Sequence, residues 1–585
     1  MLHGCWSTGF CGTREWSVYH EDSRRNFSSP SFFSPTQAHA NATLLTIARQ
    51  RFKLPDVFLR MDLPMPRLSL TKRQVPAVCL ALLFVLRTQP TISEDKIPAH
   101  LQSVLDTISA NSLRGHLSFI ASDLLEGRDS PSRGLDIAAE YIAAQFRRVG
   151  LEPAGGDGYF QTAHWRLAEQ DPRAFRLQLG FNGHAAEVSP GQVSFRIGSA
   201  VEVSSSETFK LEYGDASALS TLTAAQVQNR VVLTEIPDFQ REDSSRWEEM
   251  AGRQQAFLRK LMELKAALVI SVDRQSQTGS GAGNGRLIDP EIRGKPIVSA
   301  TLPWIKVHSS NVVRIYDGLQ KGFNPGTVLL SVPAPMERPV KLRNVVGLLR
   351  GSDPALQDSY VLVTAHYDHV GTDPSREADP IFNGANDDGS GTVSVIELAS
   401  ALSRLNPRPK RSLVFMTVFA EEKGLLGSRY YARHPLFPLE KTVANINLEV
   451  LGRTDGPEGG HKNKAGLTGF EYSNLGEVFV KAGQLSGVEV YRHPTFSDAF
   501  YPRSDNLALA EKGVVAHSLC SGFLFPDLHA PQDHWDKIDY PNLAKLNRLM
   551  TIALWMIAEN SAAPGWNAAA PKAAPYLKAW QERHK

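Results

Sequence analysis

The sequence is poor in cysteine, which limits both its crosslinks and its metal sites. The four cysteines of the 585-residue chain are Cys5, Cys11, Cys79 and Cys520. If a signal peptide is removed after Leu86, only Cys520 remains and no intrachain disulfide can form. A zinc site built from cysteines is excluded as well, so any metal must be held by His, Asp and Glu side chains.

Charge of one sign and long apolar runs are also lacking. Lys and Arg number 63 and Asp and Glu 61, which gives a net charge of +2 at pH 7. The sequence contains no basic patch of the kind that would indicate a nucleic-acid partner. The apolar run Val75–Leu86 has 12 residues, too few to span a bilayer comfortably, and no further run is long enough to do so.

Residues 1–91 differ in composition from the rest of the chain. They carry 11 Lys and Arg against 5 Asp and Glu, a net charge of +6, whereas the remaining residues carry −4. Arg67, Lys72 and Arg73 precede Val75–Leu86, the order of positive region and apolar core that is typical of a signal peptide. We therefore predict a non-core segment 1–91 with a signal peptide at about 65–91, and a secreted or periplasmic protein. The alternative is a buried core helix at Val75–Leu86.

Three further segments differ in composition and in the spacing of their apolar residues. Residues 92–185 begin a main domain, because apolar residues recur at helical spacing and Gly150 marks the end of that helix. Residues 186–335 contain short β-rich runs separated by polar and Gly-rich stretches such as "GSGAGNG", which predicts a smaller, separate α/β module. The proline-rich "VPAPMERPVK" is interpreted as its exit linker. The tail 561–585 is of low complexity and is predicted to be loose.

From residue 336 to about 560, apolar strands alternate with helices. The runs "NVVGLLR", "YVLVTAH", "SLVFMTVFA", "VANINLEVL" and "GVVAHSL" are continuous and rich in β-branched residues, as strands buried on both faces require. The alternation predicts an α/β fold with a largely parallel sheet covered by helices on both faces. In such sheets, ligand sites lie at the carboxyl ends of the strands.

Acidic residues and histidines collect at these strand ends and in two nearby loops: His366, Asp368, Asp387, Glu421, Glu422, Glu449 and His529. Each of them alone is more often a cap, a turn or a surface group, and we assign His369, Asp388, His517 and His534 to that ordinary class. The coincidence of the larger set at one edge favours a divalent ion, zinc first. There are enough carboxylates for two ions, which would polarise a carbonyl and make a bound hydroxide near neutral pH, with a free carboxylate as general base.

Six motifs occur in an order that resembles a known family: "HYDHVG", "NGANDDGSG", "FAEEKGLLGS", "INLEVLGR", "RSDN" and "HAPQDHWDKID". They resemble those of the di-zinc aminopeptidases related to aminopeptidase Y, glutamate carboxypeptidase II and the transferrin receptor. The resemblance covers roughly residues 92–185 and 336–560, which would be two parts of one catalytic domain with a zinc exopeptidase fold. Residues 186–335 resemble a protease-associated domain inserted between them.

The resemblance implies a role for each candidate. His366 would bind one zinc and His529 the other, Asp387 would bridge them, Glu422 would complete the His529 site, Glu421 would be the general base and Asp368 would orient His366. Glu449 stands where the family usually has an Asp ligand of the His366 zinc. Asn506 replaces a His of the commoner "RSDH", which is expected to alter the substrate pocket.

The expected function is that of a zinc aminopeptidase which removes N-terminal residues from peptides. Alternatives of the same fold are a carboxypeptidase acting on acidic C-termini, a glutaminyl cyclase using one zinc, and a catalytically inactive receptor-like binding protein. A full second ligand set argues against the cyclase. The presence of every expected ligand in kind argues against the inactive protein. The sequence predicts neither the preferred side chain nor the oligomeric state.

Overall fold

The computed structural model describes residues 96–195, 199–237, 247–274, 285–292, 302–373, 376, 378–457 and 459–585. The predicted segment 1–91, with its signal peptide, lies outside these ranges. Among the helices within them, none combines the length and the apolar character needed to cross a bilayer.

The strands belong to two large sheets and one short hairpin. In chain order they are β1 Glu152–Pro153, β2 Phe160–Glu169, β3 Arg176–Phe181, β4 His184–Val188, β5 Val193–Phe195, β6 Val201–Lys210, β7 Val231–Thr234, β8 Leu268–Val272, β9 Arg286–Ile288, β10 Trp304–Val307, β11 Gly322–Val332, β12 Met336–Leu349, β13 Tyr360–His366, β14 Gly371–Thr372, β15 Ile381–Phe382, β16 Ser412–Val418, β17 Thr442–Leu448, β18 Lys464–Leu467, β19 Glu489–Tyr491 and β20 Ala516–Cys520.

The helices pack on these sheets or connect their strands. They are α1 Ala99–Leu105, α2 Ala110–Ile120, α3 Arg133–Arg148, α4 Ala216–Thr221, α5 Ala224–Val227, α6 Trp247–Glu263, α7 Ser310–Gly318, α8 Ser390–Leu402, α9 Leu426–Arg433, α10 Leu475–Ser486, α11 Phe496–Ala499, α12 Asn506–Ala510, α13 Tyr540–Glu559 and α14 Ala574–Arg583.

The first sheet is mixed, whereas the sequence predicted a largely parallel one. Its strand order is β19-β18-β20-β17-β13-β16-β12-β2-β9, and β1 pairs with β12. The centre, β16-β13-β17-β20, is parallel, but β12 runs antiparallel to β16 and to β2, and β9 antiparallel to β2. The first part of β12 is mostly exposed, which is typical of an antiparallel strand with one face in water. For β12, the prediction considered only its fully buried end, within the run "NVVGLLR".

Helix α8 forms the centre of the main core. All of its residues are buried, including Ser394 and Glu397, and it packs against β13, β16 and α13. Helix α3 is amphipathic by comparison: the Ser132 hydroxyl accepts the N–H of Leu135 at 3.0 Å and caps it, and its buried face packs on β12. N-terminal capping of this kind satisfies a backbone donor that has no partner within the helix.

The second sheet is built from residues between Arg176 and Val332. Its strand order is β4-β3-β11-β6-β7-β8-β10-β5, and β6, β7, β8 and β10 form a parallel centre. Two apolar clusters of its own lie on its faces. Strand β9 belongs to the same stretch of chain but pairs with β2 in the first sheet. The boundaries 186 and 335 stay predictions.

The tail 561–585, predicted to be loose, is ordered in the structure. It contains helix α14, the Trp566 indole N–H donates to Gly513 O at 3.1 Å, and Ala573 is fully buried. Alanine and proline dominate this stretch, and their low complexity masked a helix for which alanine is the best former.

Candidate metal centre

The carboxyl ends of three neighbouring parallel strands bring most of the predicted residues together. His366 is the last residue of β13, Glu449 directly follows β17, and Glu421 and Glu422 follow β16 after a short bend. Because β16, β13 and β17 are adjacent and parallel, these side chains meet at one edge of the sheet. Asp387 comes from the turn Ala385–Gly389 that precedes α8.

The first group of side chains surrounds the His366 imidazole. Its Nε2 lies 3.2 Å from Asp387 Oδ1 and 3.3 Å from Glu449 Oε1. These three residues can each offer one ligand atom within 4.8 Å of the others. The His366 and Asp387 side chains are almost fully buried, and that of Glu449 is 19% exposed, so the group opens towards solvent on the Glu449 side.

The second group surrounds Glu422. Its Oε2 lies 3.1 Å from His529 Nε2, which lies 3.1 Å from Asp387 Oδ2 as well. The other oxygen, Oε1, lies 2.8 Å from His369 Nδ1, and His369, Asp387 and Glu422 also satisfy the geometry of a metal-binding triplet. The sequence alone places His369 in the ordinary class of surface or capping residues, yet it is fully buried in the structure. The His529 side chain is 49% exposed.

Asp387 is shared between the two groups. Its Oδ1 faces His366 and its Oδ2 faces His529. The neighbouring carboxylate of Asp388 turns away, and its Oδ1 accepts the backbone N–H groups of Gly391 at 3.0 Å and Val450 at 3.2 Å. One aspartate of the pair therefore faces both histidines, and the other holds the start of α8.

Asp368 lies behind His366. Its backbone oxygen is 3.2 Å and its Oδ1 is 3.6 Å from His366 Nδ1. The same Oδ1 accepts the backbone N–H of Glu421 at 3.1 Å. Asp368 thus connects the back of the imidazole to the segment that carries Glu421.

Two histidines from the ordinary class lie outside this arrangement. His517 is buried in β20, where its Nε2 is 2.7 Å from Ser473 Oγ and its Nδ1 is 2.8 Å from Thr468 O. His534 Nε2 is 3.5 Å from Asp379 Oδ2.

The pKa shifts show how strongly the acids influence the histidines. Burial alone would lower the pKa of His366, but the carboxylates of Glu449 and Glu421 hold it well above its ordinary value. At His529, whose ring is only partly removed from water, the effect of burial is likewise outweighed, because Glu422 and Asp387 raise the pKa to about 11. Burial raises the pKa of Glu421 well above its usual range. The site favours positive charge placed between its carboxylates.

Sequence reasoning missed Arg128, which is fully buried beside the site. Its guanidinium donates four hydrogen bonds to backbone oxygens: to Tyr367 O (2.8 Å), Ile120 O (2.6 Å), Asn383 O (2.7 Å) and Gly384 O (2.9 Å). Burial lowers its pKa to about 10, against the opposing effect of Asp368 and other nearby acids. The local sequence around Arg128 is "EGR", and a single arginine in such a stretch does not predict a buried residue beside a metal site.

Two further buried acids were also missed. The Asp533 carboxylate accepts the backbone N–H groups of Asn386 at 2.9 Å and Asp387 at 3.1 Å and thereby holds the turn that carries Asp387. Asp505 accepts the Ser428 hydroxyl, and burial raises its pKa to about 7. Its neighbour Asn506, expected in a substrate pocket, is fully buried.

The residues present fit zinc. Imidazole nitrogens and carboxylate oxygens are the ligands left to a chain without a cysteine site, and zinc binds both. Closely spaced buried carboxylates are costly unless a cation compensates them. Asp387 offers one oxygen to each group, as a carboxylate between two ions would.

Comparisons with known proteins find relatives over part of the chain. A probable zinc metalloprotease of Pyricularia oryzae is 33% identical over 164 residues, which cover 28% of this chain and 31% of the relative. Aminopeptidase YwaD of Bacillus subtilis is 28% identical over 228 residues, 38% of this chain and 46% of the relative. The chain thus spans less than half the length of these curated relatives.

A solved structure shows the fold over a longer stretch. The aminopeptidase from Aneurinibacillus sp. strain AM-1 superposes with a TM-score of 0.54, covering 79% of this chain and 97% of that one, at 17% identity. At that identity the likeness establishes the mixed α/β fold alone.

The prediction of a secreted or periplasmic protein is wrong. Relatives from Tuber melanosporum and Verticillium alfalfae, 36% and 38% identical over 113 and 92 residues, are named vacuolar membrane proteases. These names point to a vacuole rather than to the exterior. The prediction depended on residues 65–91, and a short apolar run after basic residues does not specify a destination.

The family itself is identified by the part of the chain that carries the candidate metal centre. The sequence profile described as Peptidase family M28 matches residues 344–553, the stretch from within β12 to within α13. With relatives named zinc metalloprotease and aminopeptidase, this match identifies residues 344–553 as a peptidase family M28 segment.

Proposed function

We propose that this protein is a di-zinc aminopeptidase that hydrolyses the N-terminal residues of peptides. The observation that carries the proposal is the shared position of Asp387, whose two oxygens lie 3.2 Å from His366 Nε2 and 3.1 Å from His529 Nε2. A carboxylate between two ions about 3.5–4 Å apart is a recurring arrangement in metal-dependent hydrolases.

The two groups divide the ligands between the ions. His366 and Glu449 would hold one zinc, His529 and Glu422 would hold the other, and Asp387 would be shared between the two sites. Zinc supplies Lewis acidity, which polarises the scissile carbonyl and makes water a stronger acid. His369, on the oxygen of Glu422 that faces away from His529, steadies that carboxylate.

Glu421 acts as the general base. Its Oε2 lies 4.0 Å from His366 Nε2, farther than the nearest oxygens of Asp387 and Glu449, so it borders the first group without joining it. It takes a proton from the attacking water and delivers it to the leaving amine. Asp368 orients His366 and, through the N–H of Glu421, the base as well.

An aromatic cluster beside the site would receive the first side chain of the substrate. Val450, Cys520, Phe523 and Phe525 are buried together, with Tyr491, Phe496, Phe500 and Leu528 packed on them and partly exposed. Val450 follows Glu449 and Leu528 precedes His529, so this cluster includes a chain neighbour of one residue from each group. We infer a preference for peptides with an apolar or aromatic N-terminal residue.

The module at about 186–335 is proposed to be an inserted protease-associated domain. Both metal-capable triplets found in the described part of the chain come from outside it. We infer that this module shapes access to the metal site and takes no part in the chemistry.

A substrate panel tests the proposal. The purified protein, loaded with zinc, is given aminoacyl anilides, their N-acetylated forms, peptides with acidic C-termini, and peptides with N-terminal Gln. We expect release from free N-termini only, fastest for Phe and Leu, with close to two zinc equivalents per chain. Release from the C-terminus or ring closure of Gln would support the carboxypeptidase or the cyclase. No turnover with zinc bound would support the binding protein.

A further inference from the structure

A buried chain of hydrogen bonds ends on Glu449. The Ser504 hydroxyl donates to Glu449 Oε2, and the Asn447 side-chain amide lies 3.3 Å from the same oxygen. The opposite oxygen, Oε1, is the one that lies 3.3 Å from His366 Nε2. One oxygen of the carboxylate is therefore held by the protein while the other faces the metal group.

The direction of each bond in the chain is fixed from its far end. The Asn506 amide N–H donates to Tyr501 O at 3.1 Å, so its oxygen must accept, and it does so from Ser518 Oγ at 2.8 Å. Ser518 in turn accepts an N–H of Asn447 at 3.1 Å.

The second N–H of Asn447 donates to Ser504 Oγ at 2.7 Å, while the Asn447 oxygen accepts the Thr364 hydroxyl at 2.8 Å. Since Ser504 already accepts from Asn447, its own proton is directed to Glu449. The four side chains between Glu449 and Tyr501, those of Ser504, Asn447, Ser518 and Asn506, are at most 5% exposed, so water does not compete for these bonds.

We propose that Ser504 and Asn447 are positioning residues for Glu449, and that Asn506 acts on the metal site through them rather than on substrate choice. Glu449 has one methylene more than an aspartate would have, and it therefore needs an additional restraint to present a single oxygen to the metal. Partners behind a ligand typically change metal affinity about 10–100-fold. The inference rests on the proposed function, in which Glu449 is a ligand of the His366 zinc.

The test compares Ser504→Ala, Ser504→Thr, Ser518→Ala and Asn506→Ala with Ser394→Ala. The last variant loses a buried hydroxyl that donates to Ser390 O and accepts from the Asn547 amide. It therefore controls for the stability lost when a buried serine hydroxyl is removed. Zinc affinity is measured for each protein by competition with a chelating dye, without substrate. The melting temperature of the metal-free form is recorded, and kcat and KM are determined for Phe and Ala anilides.

Ser504→Ala is expected to lower the affinity of the protein for one of the two zinc ions about tenfold or more. Ser504→Thr, which keeps the hydroxyl, is expected to retain the wild-type affinity. Ser518→Ala and Asn506→Ala weaken the same ion to a smaller degree, and the ratio of kcat/KM between Phe and Ala anilides stays at its wild-type value. The metal-free melting temperatures of these variants should resemble that of Ser394→Ala.

Unchanged zinc affinity in Ser504→Ala would overturn the positioning role, and a changed Phe-to-Ala ratio in Asn506→Ala would return that residue to the substrate pocket. Wild-type protein with two zinc ions and no peptidase turnover would overturn the proposed function alone, because the affinities would still be compared. Wild-type protein that binds no zinc would overturn both.

Discussion

Glu169 and Met336 lie directly opposite each other in the antiparallel ladder of β2 and β12, although the whole second sheet separates them in the chain. The two ends of that long excursion therefore meet as the ends of a hairpin do. Replacing residues 171–334 by a short turn with Asn-Gly at its centre should preserve the ladder. We expect a folded protein with about two zinc equivalents, measured by circular dichroism and metal analysis.

This deletion also removes β9 and the contacts of Asp289 with Arg433 and of Glu291 with His434. Arg433→Ala in the full-length chain is the matched control for that loss, and both proteins should melt somewhat earlier than the wild type. A folded deletion variant without zinc would show that the removed residues support the metal site.

Glu421 and Glu422 are adjacent and chemically alike, but we predict opposite consequences of their replacement. Glu421→Gln keeps the shape and loses the proton acceptor, so kcat should fall about 10²–10⁴-fold while zinc content stays unchanged. Glu422→Gln should lose one zinc, because it removes a carboxylate from the second group. Zinc content and kcat are measured side by side, with Glu477→Gln on an exposed helical position as control. Metal loss confined to the Glu421 variant would reverse the two roles.

His529 and His369 compete for the role of ligand to the second zinc. His529 Nε2 is equally close to Asp387 and Glu422, whereas His369 Nδ1 lies 2.8 Å from the far oxygen of Glu422. His529→Gln should therefore release the second zinc during gel filtration, and His369→Gln should retain it with weaker affinity. If His369→Gln releases the ion and His529→Gln keeps it, His369 is the ligand.

His517 should make the stability of the protein depend on pH. Burial lowers its pKa from 6.5 to about 4, so between these values the unfolded chain takes up a proton that the folded protein refuses. Stability is complete above pH 6.5 and is lost as the pH falls towards 4, by up to about 3 kcal/mol for this one group.

The free energy of unfolding in urea, measured at pH 7.5, 6 and 5, should fall less steeply for His517→Gln than for the wild type. Exposed His184→Gln provides the control. Other groups titrate in the same range, but they contribute equally to both proteins. Parallel pH curves for the wild type and His517→Gln would contradict the assignment.

The centre of the fold could be predicted because burial on both faces leaves a strong signal. The run "YVLVTAH" is β13, and "SLVFMTVFA" contains β16. Their neighbours in the parallel centre follow the same pattern, which fixes the edge where ligands collect. The antiparallel side of the sheet carried no comparable signal, because the first part of β12 is mostly exposed and its partner β2 lies on the other side of the second sheet in sequence.

The metal site could be predicted to the extent that His, Asp and Glu residues at the strand ends indicate a bound metal. The family interpretation is confirmed, and the structure gathers His366, Asp387, Glu422, Glu449 and His529, whose roles as ligands stay predictions. His369 could not be ranked above an ordinary loop histidine, since only the fold brings it to Glu422. Ser504 and Asn447 are common polar residues, and their proposed role follows only from their hydrogen-bond partners in the structure.

Arg128 determines how the chain can be divided. The side chains proposed to bind zinc all lie between residues 366 and 529, yet the donor that satisfies the carbonyls of Tyr367, Asn383 and Gly384 precedes the second sheet in the chain. Residues 344–553 expressed alone would carry a complete set of ligands on loops with three buried oxygens left without their donor. The segments before and after the second sheet are therefore expected to need each other in order to fold. The fragment after it should assemble a metal site only when the fragment before it is supplied in trans.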